Sequence, residues 1–138
     1  MIRPDRTEIV VAMFNTSPDL VDLVRRALEP TGMVVVSALT YQIREGAVDI
    51  EAFLRQHDPD VIVYDIAPPY DANWHLFQHI RRMQAMQHRS IVLTSVNRHQ
   101  VEALAGKDEM IYEIVGKPYD LDLLVRAVKE AAHQRPVR

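Results

Sequence analysis

The stretch that decides the fold is Val61-Ile62-Val63-Tyr64-Asp65, a run of strand-forming residues that ends in an acid. Ala67-Pro68-Pro69 follows and stops the strand, because proline cannot donate a hydrogen bond to a neighbouring strand. A carboxylate at the carboxyl end of a buried strand costs desolvation unless it has a partner or a chemical role. Asp65 is therefore the first candidate functional residue.

Similar apolar runs recur on both sides of this stretch, and amphipathic segments separate them. The further runs are Ile9 to Phe14, Met33 to Val36, Ile91 to Leu93 and Ile111 to Val115. Most of them lack polar alternation, which is typical of strands covered by helices on both faces. The pattern predicts an α/β fold: a doubly wound, five-stranded parallel sheet of order 2-1-3-4-5, with flavodoxin-like topology and the last strand at an edge.

Apolar residues at helical spacing predict a helix after each strand. Ser17-Pro18 begins the first helix, which stops near Pro30, and the second covers about Ala47 to Gln56. The third helix carries Leu76, Phe77, Ile80 and Met83, a short fourth ends at Gly106, and the last starts at Asp120.

Length and composition limit the possible classes of protein. The 138 residues, 48% of them hydrophobic, predict one domain over 1–138 with a core at about 8–132 and flexible termini. A net charge of -3 argues against direct nucleic-acid binding, which needs clustered cations. The absence of cysteine favours the cytoplasm, and no apolar run approaches the length of a membrane span.

Polar side chains end four of the predicted strands: Asn15-Thr16, Asp65, Thr94 and Lys117. In a doubly wound sheet, ligands bind outside the carboxyl ends of the strands, where the strand order reverses. These side chains are therefore expected to share one rim.

Taken together and in this order, these residues resemble the receiver domain of bacterial two-component response regulators, over about Glu8 to Ala132. The resemblance implies that Asp65 accepts a phosphoryl group from a histidine kinase or a phosphotransfer protein. It implies that Thr94 bonds the phosphoryl oxygen, and that Lys117, which precedes Pro118, pairs with its charge. Such a protein is at most a phosphoryl acceptor with slow autodephosphorylation, and not an enzyme.

The sequence departs from the family at the metal site. Asn15 and Thr16 stand where the family has two acids, and Mg²⁺ prefers carboxylate and phosphate oxygens. Beside Asp65, the Asn15 amide, the Thr16 hydroxyl and the backbone carbonyl of Ala67 can still coordinate a metal, but weakly. We therefore expect no cofactor, and either no metal or a weak Mg²⁺ site at Asp65.

Two further departures lie outside this site. Ile114 replaces the family's aromatic switch residue, and Ala72-Asn73 replaces its usual Asp-Gly pair. His75 and His79 have the spacing of a zinc-binding pair on a helix, but without a third ligand motif an exposed helical face is favoured.

Three hypotheses about function follow from these residues. The first is a stand-alone, atypical receiver (a pseudo-receiver) that works as a phosphorylation-independent or weakly phosphorylated protein-interaction module, which Asn15 and Thr16 favour. The second is a functional phospho-switch at Asp65, with a permanent Asp65–Lys117 ion pair as its structural competitor. The third is a small-molecule-binding regulatory domain at the strand ends, weakened by the lack of a glycine-rich phosphate loop.

The resemblance also implies where a protein partner binds. The expected surface is formed by the fourth helix, the fifth strand and the fifth helix, around Val101 to Lys107 and Tyr112 to Arg126. A homodimer through the same face is compatible with this expectation.

Overall fold

The computed structural model describes residues 8–106, 111–116 and 121–133, with the backbone alone at 112–115. Its strands are β1 Val10–Asn15, β2 Val34–Leu39, β3 Val61–Asp65, β4 Ser90–Ser95 and β5 Ile111–Gly116. Its α-helices are α1 Pro18–Leu28, α2 Thr40–Arg44, α3 Ile50–His57, α4 Tyr70–Arg81, α5 Arg98–Ala105 and α6 Leu121–His133. The predictions about Lys117, Pro118, Asp120, the side chain of Ile114 and the termini fall outside the described residues.

The strands form a parallel sheet in the order β2-β1-β3-β4-β5. The reversal of strand order lies between β1 and β3, and β3 and β4 are in register so that Asp65 faces Thr94 across the ladder. The predicted α/β class and parallel sheet are confirmed. All strands point the same way, so their carboxyl ends lie along one edge of the sheet.

Helices cover both faces of the sheet, which explains why the central strands lack polar alternation. Along β1, the side chains of Ala12 and Phe14 join the core on the side of α3, α4 and α5. Those of Val11 and Met13 join the core on the side of α1 and α6. Successive side chains of a strand point to opposite faces, so every position of β1 is apolar until Asn15.

The second predicted helix differs from the observed structure. Two helices stand in its place: α2 at Thr40–Arg44, which was not predicted, and α3, which begins at Ile50 rather than near Ala47. The Asp49 side chain accepts a hydrogen bond from the Ala52 amide and caps α3. A helix of five residues is too short to show an apolar period, so the sequence pattern missed α2.

Two strands also extend beyond their apolar runs. β2 continues through Ser37 to Leu39, because an edge strand needs only one neighbour and tolerates polar, half-exposed side chains. β4 includes Ser90, Thr94 and Ser95, which are buried although they are polar. Buried hydroxyl groups need hydrogen-bond partners, and those of Thr94 and Ser95 have them at the carboxyl end of β4.

Arg89 anchors the opposite end of the sheet, just before β4. Its Nε donates to the Ala85 carbonyl at 2.7 Å. Its Nη1 donates to Asp58 Oδ1 and to the Pro59 carbonyl, both at 2.7 Å. The side chain is only 8% exposed, so Arg89 ties the start of β3 to the start of β4 from inside the protein.

Within the part of the chain that the structure describes, no helix combines the length and the apolar character of a membrane span.

Candidate functional site

Asp65 and Thr94 meet at the carboxyl ends of β3 and β4. The Thr94 hydroxyl donates to Asp65 Oδ1 at 2.7 Å, and the two residues are 3% and 0% exposed. The structure therefore brings together two of the predicted site residues, 29 positions apart in the chain. The arrangement places a hydroxyl donor directly beside a buried carboxylate.

Asn15 and Thr16, the two neutral residues predicted at this rim, have different environments. Asn15 is 1% exposed at the end of β1, and its Oδ1 accepts a hydrogen bond from the Ser17 amide at 3.1 Å. Thr16 is exposed. The amide of Asn15 thus holds the turn into α1, in which Ser17 caps the helix by accepting from the Leu20 amide.

A chain of hydrogen bonds connects α2, α4 and the loop after β3. Asn73 Nδ2 donates to the Ala67 carbonyl at 2.6 Å, and Asn73 Oδ1 accepts from Arg44 Nη2. Asn73 is 8% exposed. The sequence marked Asn73 only as a departure from the family, and Arg44 gave no signal, because an arginine at the end of a short helix is usually solvated.

A second connection, also missed from the sequence, fixes the loop after β4. The Ser95 hydroxyl donates to the Ile66 carbonyl at 2.9 Å and accepts from the Asn97 amide at 3.1 Å. The Asn97 side chain accepts from the Gln100 amide and caps α5. The loops after β3 and β4 are therefore tied to each other beside Asp65.

Three oxygen groups of this rim bear on whether Mg²⁺ could bind. Asp65 Oδ1, Asn15 Oδ1 and the Ala67 carbonyl each already accept a hydrogen bond from the protein. Only Asp65 among them is a carboxylate, and among the described residues no group of three or more His, Cys, Asp or Glu side chains can hold a metal. A hard divalent cation prefers charged oxygen ligands, so this set fits it poorly.

His75 and His79 are both exposed on α4. Their side chains face solvent, as the exposed-face interpretation predicts. The other predicted partners of Asp65, Lys117 and Pro118, lie outside the described residues.

Two aromatic rings pack against Tyr64, the residue before Asp65 in β3. Tyr64 is 2% exposed, and its ring centroid lies 5.0 Å from that of Phe77 and 6.0 Å from that of Phe14. Burial raises the pKa of the Tyr64 hydroxyl well above its ordinary value of 10.0, the nearby Arg44 cation partly opposes this, and Asp65 adds to it. Tyr64 is therefore neutral in the folded protein throughout the physiological range.

Tyr64→Phe is expected to reduce the loss of stability at alkaline pH. Above the ordinary pKa of 10.0 the unfolded chain releases the phenolic proton, while folded Tyr64 keeps it. The free energy of unfolding therefore falls by about 1.4 kcal/mol for each pH unit above that value, until the folded pKa is reached. Below the ordinary pKa of 10.0, the contribution of neutral Tyr64 to the free energy of unfolding is fully present. Urea unfolding at about pH 9 and about pH 11 measures the difference.

Tyr41→Phe is the matched control for this experiment, because Tyr41 is 47% exposed. If wild type and Tyr64→Phe lose the same stability between the two pH values, the assignment of this alkaline dependence to Tyr64 is wrong.

Comparison with solved structures shows which proteins share this fold. A sensor protein from Polaromonas sp. JS666 is similar at 18% identity and a TM-score of 0.73, covering 93% of this chain and 98% of that one. A response regulator from Thermotoga maritima is similar at 21% identity and a TM-score of 0.70, covering 92% and 99%. The chemotaxis response regulator CheY4 of Vibrio cholerae is similar at 18% identity and a TM-score of 0.70, covering 91% and 99%.

No family model matches the sequence, and no curated protein matches it. The structural likeness extends over nearly the whole of this chain and of each similar chain. The chain therefore has the flavodoxin-like α/β fold of response-regulator receiver domains.

Proposed function

We propose that this chain is an atypical receiver domain that works in signal transduction as a phosphorylation-independent protein-interaction module. One observation carries the proposal: the three oxygen groups at the Asp65 rim that a metal would need, those of Asp65, Asn15 and Ala67, already accept hydrogen bonds within the protein. Asp65 is the one carboxylate among these groups, so the described rim offers a metal a single charged ligand.

Charge explains why this matters for phosphoryl transfer. The transferred group carries several negative oxygens, and catalysis of its transfer consists mostly of positioning and of neutralising that charge. Asn15 and Thr16 contribute no charge, so Asp65 would be the sole carboxylate of the described rim. With Lys117 beside it, as the sequence predicts, the local charge sums to about zero, which removes most of the Coulombic attraction for a divalent cation.

We place the partner surface where the resemblance implies it. The predicted fourth and fifth helices correspond to α5 and α6, on either side of β5 in the chain. Exposed residues of α5 include Arg98, which forms an ion pair with Glu102, and His99, whose Nδ1 lies 3.8 Å from Glu102 Oε1. The proposed partner is another protein or a second copy of this chain, and the cytoplasmic location stays a prediction.

A second candidate function, the phospho-switch, is favoured by the Thr94–Asp65 hydrogen bond of 2.7 Å. The same hydroxyl can turn to donate to a phosphoryl oxygen on Asp65. In that case a histidine kinase or a phosphotransfer protein is the partner. The hypothesis of a small-molecule ligand at the strand ends stays a prediction.

Exposure to a small acyl-phosphate donor distinguishes the two candidates. After incubation with the donor and Mg²⁺, intact-mass measurement is expected to show no phosphate adduct on the wild-type chain, because the site lacks the charge that would hold the metal. Asp65→Ala is the control for modification elsewhere. A prompt adduct on the wild type that disappears in Asp65→Ala would establish the phospho-switch and overturn the proposal.

A further inference from the structure

We infer that Asn73, oriented by Arg44, is a second barrier to a divalent cation at Asp65, separate from the missing acids. Its side-chain amide donates a hydrogen bond to the Ala67 carbonyl oxygen. This is the one backbone oxygen of the rim that is expected to serve as a metal ligand. The inference rests on the proposed metal-independent function and names the residues that enforce it.

The position of Asn73 is fixed by its backbone and its burial. Asn73 lies in the first turn of α4, where its backbone amide donates to the Pro69 carbonyl at 3.0 Å. Its side chain reaches back over the loop, and Nδ2 lies 2.6 Å from the Ala67 carbonyl oxygen. A cation that binds this oxygen would therefore compete with the Asn73 amide for it.

Arg44 decides which way round the Asn73 amide points. A guanidinium group has only donors, so the atom that faces Arg44 Nη2 must be the carbonyl oxygen Oδ1. If the amide turned over, its NH₂ group would face the guanidinium and its oxygen would face the Ala67 carbonyl. Both contacts would be repulsive. Arg44 is therefore a positioning residue that holds Nδ2 on the Ala67 carbonyl.

Arg44 also brings its own positive charge to this region. The guanidinium is close enough to Tyr64 to act against the effect of burial on the pKa of that hydroxyl. Through Asn73, Arg44 is also linked to the Ala67 carbonyl, so the cation lies near the loop after β3. A divalent cation at the rim would be repelled by this charge, and the charge stays in place when Asn15 and Thr16 are replaced.

Restoring the two acids is therefore not sufficient for tight binding of Mg²⁺. The metal would still have to displace the Asn73 amide from Ala67, and leaving a buried amide without its acceptor is costly. Adding Asn73→Ala to the variant Asn15→Asp, Thr16→Asp is expected to tighten Mg²⁺ binding by about tenfold, as the loss of one buried hydrogen bond corresponds to roughly that factor.

Calorimetric titration with Mg²⁺ measures this change in affinity. A change in tryptophan fluorescence during the same titration reports that the ion binds close to Asn73. Trp74 is the only tryptophan of the chain, follows Asn73 directly and is 6% exposed. Gln78→Ala in the same double-variant background is the matched control, because it removes another amide from α4 without touching Ala67. It is expected to leave Mg²⁺ affinity unchanged. Arg44→Gln is expected to tighten binding by a smaller factor.

Asn73→Asp provides a second variant of nearly the same shape, for use if Asn73→Ala does not fold. It replaces the donor Nδ2 by an oxygen and keeps an acceptor for Arg44, so it should also release the Ala67 carbonyl and tighten binding more than Gln78→Asp, which adds the same charge elsewhere on α4. Equal Mg²⁺ affinity in the double variant and in both Asn73 combinations would overturn the inference. That result leaves the proposed function intact, since the latter fails only if the wild-type chain itself is phosphorylated at Asp65.

Discussion

Replacing Asn15 and Thr16 by aspartate is expected to raise the affinity of the chain for Mg²⁺ by at least about a hundredfold, since two interactions with charged groups at about 1.5 kcal/mol or more each amount to about 3 kcal/mol or more. The change adds two negative charges beside Asp65 at the end of β1. It also replaces the Asn15 amide, whose oxygen is engaged by the Ser17 backbone. The site would then have the carboxylates that a hard cation prefers.

The double variant should also acquire Mg²⁺-dependent modification by an acyl-phosphate donor, visible by intact mass. Its control is Gln56→Asp, Ala103→Asp, which adds the same charge at exposed positions of α3 and α5. That control should gain neither metal affinity nor an adduct. If the aspartates at 15 and 16 bring no gain, even together with Asn73→Ala, the missing acids are not the reason for metal exclusion.

Arg89→Met is expected to lower the free energy of unfolding by about 3 kcal/mol, because breaking a buried, hydrogen-bonded ion pair leaves its partners unpaired. Arg89 satisfies the carbonyls of Ala85 and Pro59 together with one oxygen of Asp58. Methionine fills much of the same volume but donates no hydrogen bond. The Asp58 side chain is 20% exposed, so water replaces part of the lost interaction.

Urea denaturation measures this loss, and Arg55→Met is the matched control. Arg55 lies on α3 close to Asp58 in the chain, but its ion pair with Glu51 is exposed. Exposed pairs contribute about 0.2 to 1 kcal/mol, so the control should cost far less. Similar losses in the two variants would show that burial of Arg89 contributes no special stability.

The arrangement of Asp65 and Thr94 follows from patterns within the chain. Asp65 is the last residue of β3 and Thr94 the next-to-last of β4, and adjacent parallel strands bring their carboxyl ends to one edge. The order of strands is restricted by the rules for βα units, so the contact was predictable without coordinates. The position of Asn15 at the same edge was predictable for the same reason, because Asn15 is the last residue of β1.

The roles of Asn73, Arg44 and Arg89 were not predictable in this way. Arg44 and Asn73 are 29 positions apart, and Asp58 and Arg89 are 31 apart. Their side chains meet across different helices and loops, where the contact depends on packing and not on any periodic feature. Polar residues of this kind look like ordinary surface residues until the fold places them beside a carbonyl or a carboxylate.

The sequence by itself determined the α/β class, the edge of the sheet at which Asp65 lies and the neutrality of positions 15 and 16. These depend on residue type and strand periodicity, which are local properties of the chain. The tertiary structure alone decided that Asp65 Oδ1, Asn15 Oδ1 and the Ala67 carbonyl already have donors. It also decided that Arg44 orients the Asn73 amide towards Ala67. Whether two groups form a hydrogen bond depends on differences of a few tenths of an ångström in the distance between distant segments. Only the packed structure fixes those distances.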